Sequence, residues 1–447
     1  MSQRLVDRLR GVTDGDTGSR LPPASPEYER VKHELHNELV GSIDLARVSA
    51  MPRRDLEPQL RATLSSMVAH RQLPLNKDEQ LRVVNDVLNE VVGLGPLETL
   101  LQDPTITDIL VNGPDTVYVE RGGRLQKVEV RFHDSAHLLH IIDRIVSAVG
   151  WRIDESTPMV DARLMDGSRV NAIVPPLALD GPVLSIRRFG ANPITAPDLV
   201  RLGSLPQPIL ELLEACVSSK LNILVSGGTG TGKTTLLNVL SAFVPTHERI
   251  ITIEDAAELR LQQPHVVRLE TRPPNLEGHG EVTARDLVRN ALRMRPDRII
   301  VGEIRGDEAI DMLQAMNTGH EGSISTIHAN SPRHAFRRIE TMVGLGLGNM
   351  PGAAIREMIG DALDLVIQVN RLQDGTRRIV SLTEVTGMEN GVLTTQEIFQ
   401  FHQRTIEGTG RVRGVFRTTG IRPVFAAKLE AYGHPIPARL LSFEAEV

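Results

Sequence analysis

Aromatic residues are scarce in this 447-residue chain: one Trp, three Tyr and nine Phe, 3% of the whole. A protein that stacks nucleic-acid bases on aromatic side chains needs more of them. The formal net charge of −6 also argues against a broad basic surface that grips nucleic acid. A single cysteine, Cys216, excludes intrachain disulfides and any zinc site made of several thiolates. No apolar run reaches the roughly 18 residues that a bilayer span requires. The first residues, Met1 to Arg20, are polar and lack the apolar segment of a secretory signal. These absences point to a cytoplasmic protein, or one held peripherally at the inner face of a bacterial plasma membrane by partners, without inserting. A length of 447 residues predicts two or three domains.

What the chain does contain is a complete phosphate-loop pattern. Gly227, Gly228, Thr229, Gly230, Thr231, Gly232, Lys233 and Thr234 match G-x-x-x-x-G-K-[ST] at every fixed position. Residues 222–226 read as a buried strand leading in, and residues 233–243 as the helix leading out. Glycines let successive N–H groups curve around an anion, and the helix N-terminus adds partial positive charge there. Lys233 can reach the β- and γ-phosphates of ATP, and the Thr234 hydroxyl can ligate Mg²⁺. Thr235, the next residue, completes the expected nucleotide-binding set.

Taken in order, residues 1–26 read as a disordered arm of Arg, Asp, Gly, Ser and Pro. Three amphipathic patterns over 27–92 predict a small helical bundle, the third with Asn76 as N-cap, Glu79 at N3 and Gly93 after it. Residues 93–190 predict an α+β domain with a mostly antiparallel sheet. Its hairpins turn at Arg121-Gly-Gly-Arg124 and at Asp166-Gly167, and a helix covers 135–149. The four prolines around 191–208 suggest a linker. From 209 to 447, strands at 223–225, 249–253, 266–269, 298–301 and 323–327 alternate with helices at 233–243, 283–294, 307–318 and 332–343. That is the pattern of a largely parallel sheet. Beyond residue 362 the strands look antiparallel, and the tail forms a small cap.

Hydrolysis needs one acid to hold Mg²⁺ and another to orient water. Two acidic clusters follow predicted strands, at the edge where such sheets place ligands. They are Ile253-Glu-Asp-Ala-Ala-Glu258 and Ile300-Val-Gly-Glu-Ile-Arg305. In the second, Gly302 stands where many phosphate-loop enzymes carry Asp, so Thr234, waters and Glu303 would share the metal. His320 and His328 bracket the strand at 323–327. A zinc pair is unsupported for want of further ligands at metal-site spacing, and His328 is the better candidate for a γ-phosphate sensor. Arginines stabilise transferring phosphoryl groups. Arg163, Arg169, Arg187 and Arg188 precede the linker, while Arg272, Arg293 and Arg295 lie between the acidic clusters. Such placement suggests a site closed by domain motion or by a neighbouring protomer.

Four ordered stretches resemble the Walker A, Asp box, Walker B and His box of the secretion ATPase superfamily, which drives type II and type IV secretion and type IV pili. They are residues 227–234, Ile253 to Glu258, Ile300-Val-Gly-Glu303 and Gly319-His to Ser-Thr-Ile-His328. More narrowly, three segments resemble the CpaF/TadA-type ATPase of tight-adherence (Flp) pilus systems. These are Gly93-Leu-Gly-Pro-Leu to Ile-Thr-Asp-Ile-Leu-Val-Asn-Gly113, Arg163-Leu-Met-Asp-Gly-Ser-Arg-Val-Asn-Ala172 and Leu292-Arg-Met-Arg-Pro-Asp297.

The likeness covers roughly residues 27–437. It implies a RecA-like α/β phosphate-loop ATPase domain, preceded by an α+β domain and a helical bundle. It further implies a homohexamer whose two main domains rotate against each other, inner-membrane pilus platform proteins as partners, and pilin reached only indirectly. By resemblance Glu258 polarises the attacking water and Glu303 is the acid near Mg²⁺. Arg169 and Arg187 would correspond to N-domain arginines reaching nucleotide, and Arg272 to one supplied by a neighbour. The four-cysteine zinc module of sister branches is missing, and the extra N-terminal helices set the chain apart from short retraction ATPases. The alternatives are a type II/IV secretion ATPase of another branch, or a DNA-dependent RecA-like motor. A nucleotide-gated scaffold without turnover fits poorly with Lys233 and both acids in place.

Overall fold

The computed structural model describes residues 26–42, 53–71, 73–164, 166–188, 194–274, 278–348, 350–408 and 410–447. The expected arm, apart from its last residue, lies outside them. The chain divides into two compact units, Met1–Phe189 and Gly190–Val447.

The first unit begins with three helices, α1 (Pro26–Ser42), α2 (Arg53–Ala69) and α3 (Lys77–Val92). Their apolar stripes meet in a core that includes Leu35, Leu39, Leu64, Val83 and Val87. α3 starts as its sequence predicts: the Asn76 side chain accepts from Glu79 N–H, and the Glu79 carboxylate accepts from Asn76 N–H, both at 2.9 Å. Its end differs from the expected left-handed glycine cap. Gly93 is extended, with φ −105°. Close packing requires glycine there, because a Cβ would stand 2.9 Å from the Asn89 carbonyl oxygen.

After α4 (Leu97–Gln102) comes a six-stranded antiparallel sheet. Its strands are β1 (Ile106–Asn112), β2 (Val117–Arg121), β3 (Arg124–Val128), β4 (Met159–Arg163), β5 (Arg169–Ile173) and β6 (Val183–Arg187), in the order β3-β2-β1-β6-β5-β4. Gly122 and Gly123 take φ of 54° and 81° in the β2–β3 turn, the positive values that a two-residue hairpin demands. Helix α5 (Ser135–Ser147) lays Leu138, Ile141, Ile142 and Ile145 into the core with the sheet. Glu90 of α3 joins the bundle to α5, with Lys32 at 3.0 Å and His137 at 2.7 Å.

The second unit opens with α6 (Ala196–Arg201), inside the stretch expected as linker. Thr195 and Asp198 form a reciprocal capping box there, and Leu199 and Leu205 are buried in the core. Next come α7 (Gln207–Ser218), β7 (Ile223–Gly227), α8 (Lys233–Ser241), β8 (Ile250–Glu254), β9 (Val266–Glu270), α9 (Ala284–Ala291), β10 (Arg298–Ile304), α10 (Glu308–Asn317), β11 (Ile324–His328), α11 (Pro332–Leu347) and α12 (Gly352–Ala362). The unit closes with β12 (Leu365–Arg371), β13 (Arg377–Glu389), β14 (Val392–Ile406), β15 (Val412–Thr418), the short helices α13 (Ala426–Ala431) and α14 (Ala438–Leu441), and β16 (Glu444–Glu446).

One ten-stranded sheet runs β16-β15-β14-β13-β12-β7-β11-β10-β8-β9. Strands β7 to β11 are mutually parallel, and β12 is parallel to β7 but antiparallel to β13. The switch to antiparallel pairing therefore falls one strand later than the sequence suggested. Buried apolar side chains cover both faces in two clusters, one around α7 and α8, the other around α9 to α12. The chemistry-bearing loops are left at the carboxyl edge of the parallel strands.

Candidate active site

β7 is fully buried along its length and delivers the glycine loop to that edge. Gly230 and Gly232 have φ of 69° and 96°, values that L side chains resist. Gly227 is required by crowding: a Cβ would lie 2.5 Å from the Val369 carbonyl oxygen. The Thr231 hydroxyl closes the loop onto Gly228 O at 2.9 Å, and Lys233 Nζ donates to the same carbonyl at 3.1 Å. Arg377, in β13, clamps it from outside, donating to Gly230 O at 2.8 Å. Thr234 and Thr235 occupy the first turn of α8. Burial pushes the Lys233 ammonium below the ordinary lysine range; Glu303 pulls it back up, and Arg305 and Arg338 add to the lowering.

His328 ends β11 and is paired in register with Gly227, which puts the imidazole one strand from the loop. β10 carries Glu303 within the strand, not after it, and there the register breaks. Val301 faces Ser325 while Ile304 faces Ile327, so Gly302 and Glu303 form a bulge. Bulges re-aim side chains, and here Glu303 lies between two donors. Its Oε1 is 3.0 Å from His328 Nε2 and its Oε2 is 2.7 Å from an Arg305 nitrogen. Arg305 also reaches Asp255 at 3.1 Å. Hydrogen bonding to Glu303 holds the guanidinium above its usual range. Burial first, and then Lys233, press His328 below 6.5, with Glu303 opposing.

Glu258 stands on the loop after β8. Its N–H donates to Glu254 Oε2 at 2.7 Å, and its charge is felt by Arg305. The two acidic clusters are thus joined through Arg305, a residue to which the sequence reading gave no role. Beside the loop lies a cavity of about 480 Å³ lined by Gly228, Thr229, His328, His334, Arg337 and Arg338 among others. His334, Arg337, Arg338 and Thr341, the four α11 residues lining it, were likewise missed, although Arg337-Arg338 four and five residues past a helix-starting Pro-Arg is a readable cue.

The remaining expected residues lie on other elements. Arg272 follows β9, bridges Val282 and donates from Nε to the Gly280 carbonyl at 2.6 Å. Arg169 and Arg187 face each other in register on β5 and β6 of the first unit, and Arg187 pairs with Asp108 at 3.0 Å. His320 lies at the amino end of β11, away from the loop, so the two histidines are at opposite ends of one strand. Among the described residues no group of three or more His, Cys, Asp and Glu could hold a metal.

Residues 90–415 match the family described as Type II/IV secretion system protein. The chain belongs to that family. A Mycobacterium tuberculosis relative whose name refers to conjugal transfer is 39% identical over 71% of this chain and 92% of its own length. The conjugal transfer protein TrbB of Rhizobium radiobacter is 31% identical over 68% and 91%. The type IV secretion system protein VirB11 of Brucella suis is 34% identical over 64% and 88%. Similar solved structures include the Brucella suis VirB11 ATPase, with 32% identity, a TM-score of 0.35, and 64% and 94% coverage of the two chains. Another is the pilus retraction motor PilT, with 23% identity, a TM-score of 0.47, and 64% and 81% coverage. The protein is therefore a secretion-family ATPase that binds and hydrolyses ATP. No helix among its described residues is long and apolar enough to cross a membrane.

Proposed function

We propose that this ATPase is the hexameric motor of a conjugal-transfer or type IV secretion machine, working at the inner face of a bacterial plasma membrane. Members of the family form hexamers, and the named relatives support this branch. The observation that carries the reading is the Glu303 carboxylate, aimed by its bulge at His328, one strand from the glycine loop.

In this reading N–H groups of residues 228–235 cradle the phosphates and Lys233 contacts the β- and γ-phosphoryl oxygens. Thr234 and Glu303 would hold Mg²⁺. One hydroxyl, one carboxylate and phosphate oxygens form an all-oxygen donor set, which suits this hard cation. Bound there, Mg²⁺ would neutralise charge developing on the phosphoryl group. Glu258 orients the attacking water and His328 senses the γ-phosphate. Arg272, Arg169 and Arg187 complete the site when units or subunits close, and phosphate loss turns that closure into rotation.

A second reading, the tight-adherence pilus motor, is favoured by the segments around Gly93 to Gly113 and Arg163 to Ala172 and by the added helices α1 to α3. It implies pilus platform partners, with pilin engaged indirectly.

Purified protein should hydrolyse ATP with Mg²⁺, sediment as a hexamer, and show no stimulation by DNA. Deleting the gene in its source bacterium decides between the branches. Loss of conjugation or effector secretion supports the first, and loss of surface pili with transfer intact supports the second. DNA-stimulated turnover would favour a nucleic-acid motor and overturn both.

A further inference from the structure

The residue that ends β8 is a buried acid outside the roles so far assigned. Glu254 is 5% exposed. Its Oε2 accepts the N–H groups of Glu258 at 2.7 Å and Leu259 at 3.0 Å. Oε1 is buried with no partner among the described residues. Burial raises this carboxyl above the ordinary range, against the pull of the two N–H donors.

The loop it grips has no regular backbone ladder. Its N–H groups go instead to side chains from neighbouring elements: Ala257 to Glu270 at 3.1 Å, Glu258 and Leu259 to Glu254, and Arg260 to Asn238 at 2.8 Å. The two central bonds, at and just after Glu258, both rest on one oxygen of Glu254. An unmade bond there would leave buried donors orphaned and the loop free to shift.

Glu254 also accounts for the glycine in the second acidic motif. A Cβ on Gly302 would lie 2.8 Å from Glu254 Cγ, closer than such atoms approach. The carbonyl of Gly302 is fixed as well, accepting from the Thr326 hydroxyl at 2.6 Å. β10 therefore cannot retreat cheaply, and a side chain at 302 would displace Glu254 from its two donors.

We infer that Glu254 is the positioning residue for Glu258, and that Gly302 is the space reserved for it. The inference rests on the proposed role of Glu258 as the water-orienting acid. A displacement of about 1 Å at a reacting group costs on the order of a hundredfold in rate, so the grip on this loop sets kcat and leaves nucleotide binding alone.

The test measures kcat and KM for ATP, with the affinity for a fluorescent ATP analogue, in full-length Glu254→Ala, Glu254→Gln, Gly302→Ala and the double variant Glu254→Ala/Gly302→Ala, beside Glu258→Gln. Glu254→Ala is expected to lower kcat about tenfold to a hundredfold with KM within about threefold. Glu254→Gln keeps an acceptor oxygen in place and is expected to stay within about threefold of wild type. Gly302→Ala should lower kcat alone, yet add no further loss in the Glu254→Ala background, since both changes remove the same grip.

Normal kcat in Glu254→Ala would overturn the inference, as would a Gln variant as slow as Ala, or KM rising in step with the loss of rate. If Glu254→Ala does not fold, Glu254→Gln and Gly302→Ala decide the matter. The first must remain active and the second must lose kcat at unchanged KM. Full turnover in Glu258→Gln would remove the reading beneath the inference, an outcome distinct from a silent Glu254→Ala beside an inactive Glu258→Gln.

Discussion

Glu303 Oε1 and His328 Nε2 lie 3.0 Å apart across neighbouring parallel strands, tying the proposed metal-holding acid to the proposed phosphate sensor. Burial and then Lys233 press the imidazole below 6.5, so at neutral pH the ring is uncharged and its Nε2–H donates to the carboxylate. As pH falls through that lowered value the ring gains a charge and grips Glu303 more tightly, against its use by Mg²⁺. Turnover should therefore fall as pH drops through that lowered value, below the ordinary histidine range. His328→Asn should lower kcat about tenfold or more and remove that acid limb from the pH–rate profile. An unchanged limb would assign it to another group.

The link between Glu90 and its partners Lys32 and His137 yields a stability prediction for the first unit. Burial alone would raise the Glu90 carboxyl, but the hydrogen bond from His137 and the charge of Lys32 outweigh it and bring it from 4.5 to about 2. A depressed acid contributes stability that is complete above its unfolded value of about 4.5 and is lost as pH falls toward 2. Glu90→Gln should therefore cost roughly 3 kcal/mol near pH 7, and the difference from wild type should vanish near pH 2. Denaturant titration at several pH values checks both halves.

At the opposite end of the sheet from the glycine loop, Arg298 is fully buried against Glu248. It also donates to Val217 O at 2.8 Å and Gly322 O at 3.2 Å. Breaking such a pair by removing one partner costs about 3–5 kcal/mol, whereas replacing both by apolar groups is often neutral. Arg298→Met should destabilise by about that amount, and Arg298→Met/Glu248→Leu should recover most of it. The affinity of the folded double variant for ATP should be unchanged, because the pair sits on the amino edge of the sheet.

The order of strands and helices around the glycine loop was legible because short buried apolar runs alternate with amphipathic stretches, and some of those open on a readable cap, Thr283 with Asp286 being a clear case. Asp307 was legible as a boundary but not in its role. It pairs with Arg285 at 2.6 Å, while Glu308 takes the N–H groups of Arg305 and Gly306. α6 was overlooked because its prolines read as linker, although Thr195 and Asp198 have capping-box spacing. α12 went unread, its apolar residues being thinly spread among Gly, Ala and charge.

In the candidate site, Lys233, Glu303 and His328 were named from sequence, and the fold brings them near one another. The bulge that brings Glu303 to His328 depends on pairing between strands and cannot be seen along one of them. Arg305 was quoted only as the end of its motif, with no role, and Gly302 read as a departure from a motif because its reason, Glu254, lies 48 residues earlier in the chain.

The central claim is that residues 227–234 hold the triphosphate while Glu258, on a different loop, readies the water. The most direct measurement pairs nucleotide affinity with turnover in Glu258→Gln and Lys233→Ala. Glu258→Gln is expected to bind ATP about as tightly as wild type and lose hydrolysis by a hundredfold or more, on the order of what a general base contributes. Lys233→Ala is expected to lose turnover altogether. Wild-type turnover in Glu258→Gln, or undiminished turnover in Lys233→Ala, would contradict the account.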